Sequence, residues 1–252
     1  MSSSRLPGKV LKPLAGKAMI WHIYQLALTC KLVDKVVIAT STEKSDDLLF
    51  DFCKKNKLNV YRGDLNNVLS RFLEILGKDP YPYVVRITGD CPLICPAVID
   101  QQIMALNKFD GDVTWMEHSY TSLEGQGVQS SRSLFYINNN SVNPEDLEHV
   151  GSKYLAENPT KFKIVKMDIP ENLCSNKYRL TVDEENDYKL IQALYADLYS
   201  SKPIDLSEAL RWLENHQEIS NVNKEVTHKK LNLELEEKRV QWAQIPKTGI
   251  YR

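Results

Sequence analysis

Apolar residues fall at helical spacing over 18–32 (AMIWHIYQLALTCKL), 42–56 (TEKSDDLLFDFCKKN), 64–78 (DLNNVLSRFLEILGK) and 96–109 (PAVIDQQIMALNKF). This i, i+3, i+4 pattern gives a helix one face to bury. Between these segments lie short β-branched runs: VDKVVIAT at 33–40, LNVYRG at 58–63 and YPYVVRITGDCPLI at 81–94. They read as strands covered on both sides. Asp64 is placed to cap the third helix, and Pro96 stands at the first position of the fourth. Regular alternation of helix and strand predicts an α/β fold with a mostly parallel sheet flanked by helices.

From 112 the rhythm changes. DVTWMEHS, EGQGVQSS and KFKIVKMDI (161–169) read as extended segments, with one helix over 144–158 between them. The pattern predicts an antiparallel β region inserted over 112–170. YRLTVD (178–183) returns to a core-type strand, followed by amphipathic helices over 184–200 and 205–216. One domain over 1–218 is expected, with a charged helical tail over 219–252 whose mixed-sign charge suits a solvated or docking helix.

Composition narrows the function classes. The 252 residues are 42% hydrophobic and 26% charged, with a net charge of -1. No overall basic field points to nucleic acid or an anionic membrane surface, so any polyanion site is local. No apolar run reaches the ~18 residues of a membrane span, and the N-terminus lacks the apolar core of a signal peptide. A cytoplasmic protein is expected. The 5 cysteines, Cys30, Cys53, Cys91, Cys95 and Cys174, are odd in number and scattered, which suits reduced thiols. CPLIC (91–95) has no matching pair or histidine partner at zinc-site spacing.

Two acidic residues, Asp90 in VVRITGD and Asp183 in RLTVD, stand at the carboxyl ends of predicted strands. Ligands of doubly wound sheets bind at those ends. Singly, each is an ordinary cap or turn residue; together they suit one hard cation such as Mg²⁺, leaving positions for water and phosphate oxygens. The opening MSSSRLPGKVLKPLAGK brings the complementary charge: hydroxyls on Ser2, Ser3 and Ser4, backbone donors around Gly8, and cations on Arg5, Lys9 and Lys17. It is not a Walker A loop, because Val10 follows Gly8-Lys9 where Ser or Thr is needed.

MSSSRLPGKVLKPLAGKAMI resembles the opening signature of the sugar cytidylyltransferases, most of all the branch of spore-coat polysaccharide biosynthesis protein F. The likeness continues in order through VVIATS, VYRGDLNNVLSRF, VVRITGDCPLICPAVID, LEHV and RLTVDEENDYKLI, across roughly residues 1–200. The resemblance implies a GT-A-like nucleotidyltransferase fold, a homodimer formed through the inserted β region, and attack of a sugar hydroxyl on the α-phosphorus of CTP. By the family pattern Asp90 and Asp183 hold Mg²⁺. Ser3, Ser4, Arg5, Gly8 and Lys9 face the triphosphate, with Arg5, Lys9 and Asp90 carrying the chemistry. Lys17 falls at a family lysine; Arg62, Ser70 and Arg71 match a nucleotide-facing segment less specifically. Glu148 and His149 match the family's EHV, on the region that approaches the acceptor.

Three departures bear on the reading. Gly127 and Gln129 stand where close relatives carry carboxylates, which leaves the acceptor sugar open. Asp110-Gly111-Asp112 resembles the DxD motif of GT-A glycosyltransferases, enzymes that consume nucleotide sugars, although acidic-Gly-acidic is also a common turn before a strand. The family's first strand, ending in Ala-Arg, falls immediately ahead of Met1, so the sheet is expected to lack a central strand. A catalytically impaired nucleotide-binding paralogue is the corresponding alternative.

Overall fold

A computed structural model describes residues 5–116, 121–226 and 249–251. After a basic loop, a small hairpin forms from β1 (Pro13–Leu14) and β2 (Lys17–Ala18), and α1 (Met19–Ala27) follows directly. β3 (Ile38–Ser41), α2 (Asp47–Lys55), β4 (Val60–Gly63), α3 (Val68–Lys78), β5 (Tyr83–Ile87) and α4 (Pro96–Phe109) then alternate as the periodicity predicts. β6 (Val113–Met116), β7 (Gln126–Ser130), α5 (Ser131–Asn140), α6 (Pro144–Glu148), α7 (Ser152–Glu157) and β8 (Ile164–Met167) follow. α8 (Glu185–Leu198), α9 (Leu206–Asn215), α10 (Gln217–Ser220) and β9 (Gly249–Tyr251) complete the described chain.

β3 and β4 pair in parallel as a two-stranded sheet. The larger sheet has the order β5-β7-β6-β8-β9. β7 runs antiparallel to both β5 and β6, whereas β6, β8 and β9 are mutually parallel. The architecture is therefore mixed α/β with flanking helices, where the alternation of elements had pointed to a mostly parallel sheet. Alternation constrains connections between neighbouring elements; it does not specify which strand edge a later segment joins, and β7 inserts between β5 and β6.

Three local expectations change for identifiable reasons. Asp64 does not cap α3: it accepts from the backbone N–H groups of Asn66 and Asn67 at 2.8 and 2.7 Å, forming an Asx turn. Asn67 is the cap, accepting from Ser70 N–H at 2.9 Å. The single helix expected over 144–158 is broken, because Val150 (φ 55°) and Gly151 (φ 76°) are left-handed. A Cβ on Gly151 would meet Ile137 Cδ1 at 2.7 Å, so the close approach of α5 requires glycine there as well as the φ angle. Residues 178–183 form no strand among the described residues; the hydrogen bond from Val182 N–H to the Asp90 carbonyl at 2.8 Å ties them to the loop after β5.

Three apolar clusters hold these elements. The largest joins α1, α8 and α9 through Ile23, Leu190, Ile191, Leu194 and Leu213. The second packs α4 on one face of the larger sheet, and the third packs α3 and α5 on the other. All five cysteines are free thiols. Most of the charged tail, 227–248, lies outside the described residues. Among the described residues no helix is long and apolar enough to cross a membrane.

Candidate active site

The basic loop is held from its downstream side. Leu6 and Leu14 bury into the main core, and Gly8 adopts φ 67°, opening a 3-10 turn over Lys9–Leu11. Glycine enters that left-handed conformation without the Cβ penalty. Tyr188 of α8 donates to the Pro13 carbonyl at 2.6 Å, and Lys12 lies over the Tyr188 ring at 4.4 Å. His22 of α1 donates from Nε2 to the Leu14 carbonyl at 2.7 Å. Its burial holds it below the ordinary histidine range, consistent with a neutral ring serving as a donor to a carbonyl.

Asp90, three residues beyond β5, and Asp183, in the irregular segment just before α8, lie side by side, although no strand leads to Asp183 among the described residues. The 2.8 Å hydrogen bond from Val182 N–H to the Asp90 carbonyl ties the two loops together, so the next residue, Asp183, sits beside Asp90. Lys9 bridges them, donating from Nζ to Asp90 Oδ2 at 2.7 Å and to Asp183 Oδ1 at 2.9 Å. Arg5 reaches the same cluster: Nη2 lies 3.0 Å from Asp183 Oδ2, and Nη1 donates to Glu184 Oε1 at 3.0 Å. Burial alone would lower the Lys9 pKa, but the charges and hydrogen bonds of Asp90 and Asp183 outweigh it and raise the value. Burial alone would raise Asp183; Lys9, Arg5 and Arg179 reverse that and hold it below the usual carboxylate range.

Behind Asp183 stands a network that the motif search did not single out. Arg179 donates from Nη2 to Asp183 Oδ2 at 2.5 Å and from Nε to Asp187 Oδ1 at 3.2 Å. Asp187, fully buried, accepts from the backbone N–H groups of Asp183 and Glu184, each at 3.0 Å. Asn223 closes the network, donating to Asp187 Oδ1 at 2.8 Å and to the Arg179 carbonyl at 3.0 Å. Part of this was legible: Asp187 is the third residue of α8, the position from which an acidic side chain reaches back to the cap. Asn223 carries no such signal, since it meets Asp187 from 36 residues away.

The remaining expected residues divide. Ser3 and Ser4 lie outside the described residues. Lys17 lies over the Trp21 ring at 5.6 Å. Arg62 donates to the carbonyls of Ser41 and Glu43 at 2.7 and 2.9 Å and pairs with Asp47 at 2.8 Å. Ser70 donates to the Asn67 carbonyl at 2.8 Å. Arg71 is buried, donating to the carbonyls of Asp64, Leu65 and Ala39 at 2.5, 2.7 and 3.4 Å, so it clamps the loop before α3 to β3. Burial lowers its pKa despite the nearby charges of Asp46 and Asp64. The DxD-like turn is an ion-pair cluster. Asp110 pairs with Arg132 and Lys163 at 2.5 and 2.6 Å, and Asp112 accepts from Arg132 Nε, Ser130 Oγ and Lys163 N–H at 2.5, 2.7 and 2.9 Å.

Glu148 and His149 line a cavity of about 840 Å³ that runs between the two sheets to Thr88 and Gly89, just ahead of Asp90. Consecutive residues Val36–Ala39 and Tyr83–Gly89 line it. Alternate strand residues point to opposite faces, so unbroken runs of this kind mean that the cavity meets β3 and β5 edge-on.

The carboxylate pair fits one hard divalent cation. A single cation, the Lys9 ammonium, already lies 2.7 and 2.9 Å from an oxygen of each, so the two carboxylates converge on one positive charge. Among the described residues no group of three or more His, Cys, Asp or Glu gathers to hold a metal ion.

A family model described as "Cytidylyltransferase" matches residues 1–221. The spore coat polysaccharide biosynthesis protein SpsF of Bacillus subtilis is 30% identical over 224 residues, covering 87% of this chain and 93% of that protein. A 3-deoxy-manno-octulosonate cytidylyltransferase of Pelobacter propionicus is 36% identical over 105 residues, 42% of this chain and 40% of that one. The solved structure of a cytidylyltransferase from Leptospira borgpetersenii superposes with a TM-score of 0.78 at 25% identity, covering 87% of this chain and 92% of that one. With a family match spanning nearly the whole described chain and a fold shared over the same extent, this chain belongs to the cytidylyltransferases, a family of nucleotidyltransferase enzymes.

Proposed function

We propose that this enzyme transfers CMP from CTP to a hydroxyl of a sugar or sugar acid, releasing pyrophosphate, in the cytoplasmic supply of activated sugars for cell-surface glycans. The observation that carries it is the convergence of Lys9 on Asp90 and Asp183. The acceptor hydroxyl attacks the α-phosphorus in line; a new O–P bond forms, the α–β bridge breaks, pyrophosphate departs and the hydroxyl proton is released. Such a transfer needs positioning and charge compensation more than covalent help from protein. Lys9 and Arg5 meet the triphosphate charge, together with Ser3, Ser4 and the backbone around Gly8. Asp90 and Asp183 would hold Mg²⁺, which when bound would supply positive charge to offset that of the phosphates. Glu148 and His149 face the acceptor, and Arg71 acts on the nucleotide side by fixing the loop before α3. A homodimer completes the proposed assembly. The engaged state of Asp110 and Asp112 favours this reading over a glycosyltransferase that would hold its metal there.

Incubation with CTP, Mg²⁺ and a panel of sugar acids is expected to release pyrophosphate with at least one acceptor, and CTP alone among the four nucleoside triphosphates is expected to raise the melting temperature strongly. No pyrophosphate with any acceptor, or equal shifts with all four, would overturn it.

A further inference from the structure

Asp183 is surrounded by three cations, and their attachments differ in kind. Among the described residues the Lys9 ammonium bridges Asp183 and Asp90, where the pair would share a metal ion. It projects from a short turn after Gly8. Arg179 is 8% exposed, and its guanidinium is forked between Asp183 and the fully buried Asp187. Its own carbonyl is held by Asn223, which also donates to Asp187. Moving Arg179 would leave a buried carboxylate short of its charge partner, which is strongly destabilising. Moving Lys9 into an adjoining phosphate site, with a cation taking its place, leaves every charge paired.

We propose that the two residues divide Asp183 between them: Lys9 is an internal stand-in for the metal ion that is handed from the carboxylates to the nucleotide phosphates, and Arg179 is the positioning residue that keeps Asp183 aimed throughout. This rests on the assignment of Asp90 and Asp183 as metal ligands. Metal and CTP binding are then coupled. Without nucleotide, the metal must displace an ammonium that has no anion to move to. With CTP present, the triphosphate receives the ammonium and the two carboxylates open to the metal. By linkage, the metal strengthens CTP binding by the same factor.

Binding of Mn²⁺ to the full chain, followed by electron paramagnetic resonance of the free ion, tests this without turnover. The wild type is expected to bind Mn²⁺ weakly alone and at least about tenfold more tightly with CTP, after subtraction of Mn²⁺ held by CTP itself, within the usual range of site coupling. Lys9→Met is expected to bind Mn²⁺ alone about tenfold more tightly than the wild type, because two carboxylates lose their shared cation, and to lose most of the CTP dependence. Arg179→Gln is expected to weaken Mn²⁺ binding with and without CTP while keeping the coupling. Asn223→Ala, which loosens Asp187 without emptying the buried pair, is expected to do the same to a smaller extent and serves if the arginine variant does not fold. If Lys9→Met binds Mn²⁺ alone no better than the wild type, the stand-in role is overturned while the metal site survives. If neither protein binds Mn²⁺ even with CTP, the metal site and the inference resting on it fall together. Unaltered Mn²⁺ binding in both Arg179→Gln and Asn223→Ala would remove the positioning role.

Discussion

Asp90→Ala and Asp183→Ala are each expected to reduce CTP-dependent pyrophosphate release by about 10³-fold while leaving the fold intact. The magnitude follows from what each carboxylate is asked to do. A preorganised charge contact to a reacting phosphate is worth roughly 10²–10³ in rate when a single donor is removed, and removal of a metal ligand disturbs the ion as well. Retention of the fold follows from the remaining contacts. In Asp90→Ala, Lys9 keeps Asp183 at 2.9 Å, and the Asp90 backbone carbonyl still accepts from Val182 N–H at 2.8 Å. In Asp183→Ala, Arg179 keeps Asp187 and Lys9 keeps Asp90. Steady-state pyrophosphate release beside far-ultraviolet circular dichroism separates the two properties. A variant that retains a tenth or more of the wild-type rate takes that residue out of the metal site.

Asp187→Ala has the largest expected effect on stability, about 3–5 kcal/mol. Asp187 is fully buried, accepts two backbone N–H groups, and balances Arg179, which is itself 8% exposed. Its loss leaves a buried guanidinium short of charge and two N–H groups without acceptors. For a chain of this size that corresponds to a drop of roughly 6–20 °C in melting temperature. Asp187→Asn retains the shape but loses the charge facing Arg179, so an intermediate drop is expected. Thermal or urea unfolding measures both. A loss below about 1 kcal/mol for alanine would show that the network around Arg179 is stabilised elsewhere.

These two expectations come from different depths of reading. Asp90 and Asp183 are legible because a carboxylate just after a β-branched run marks the end of an extended segment, where α/β folds gather ligands. Lys9 and Arg5 are legible as charge on a glycine-bearing loop. That the loop would be anchored by Tyr188 and His22 is not, because those contacts join segments far apart in the chain. Arg71 shows the converse. On a helix between polar residues it reads as a nucleotide contact or a solvated charge, yet its guanidinium is buried on three main-chain carbonyls. Side-chain chemistry states what arginine can donate to; only the packing of the loop before α3 states what it does donate to.

The sequence by itself determined the kind and order of the elements through α4, the location of the positive loop and the two carboxylates that face it, and the family to which they belong. All of these rest on local periodicity or on short runs of adjacent residues. The tertiary structure decided which edge each later strand joins, the break of the 144–158 helix at Val150 and Gly151, the conversion of the DxD-like turn into an ion-pair cluster, and the allotment of three cations around Asp183. Those outcomes depend on contacts made across long separations, 81 residues for Lys9 with Asp90 and 174 for Lys9 with Asp183. A local pattern can specify that a charge is present and where a strand ends, but the partner of that charge is selected by the packing that brings the two ends together.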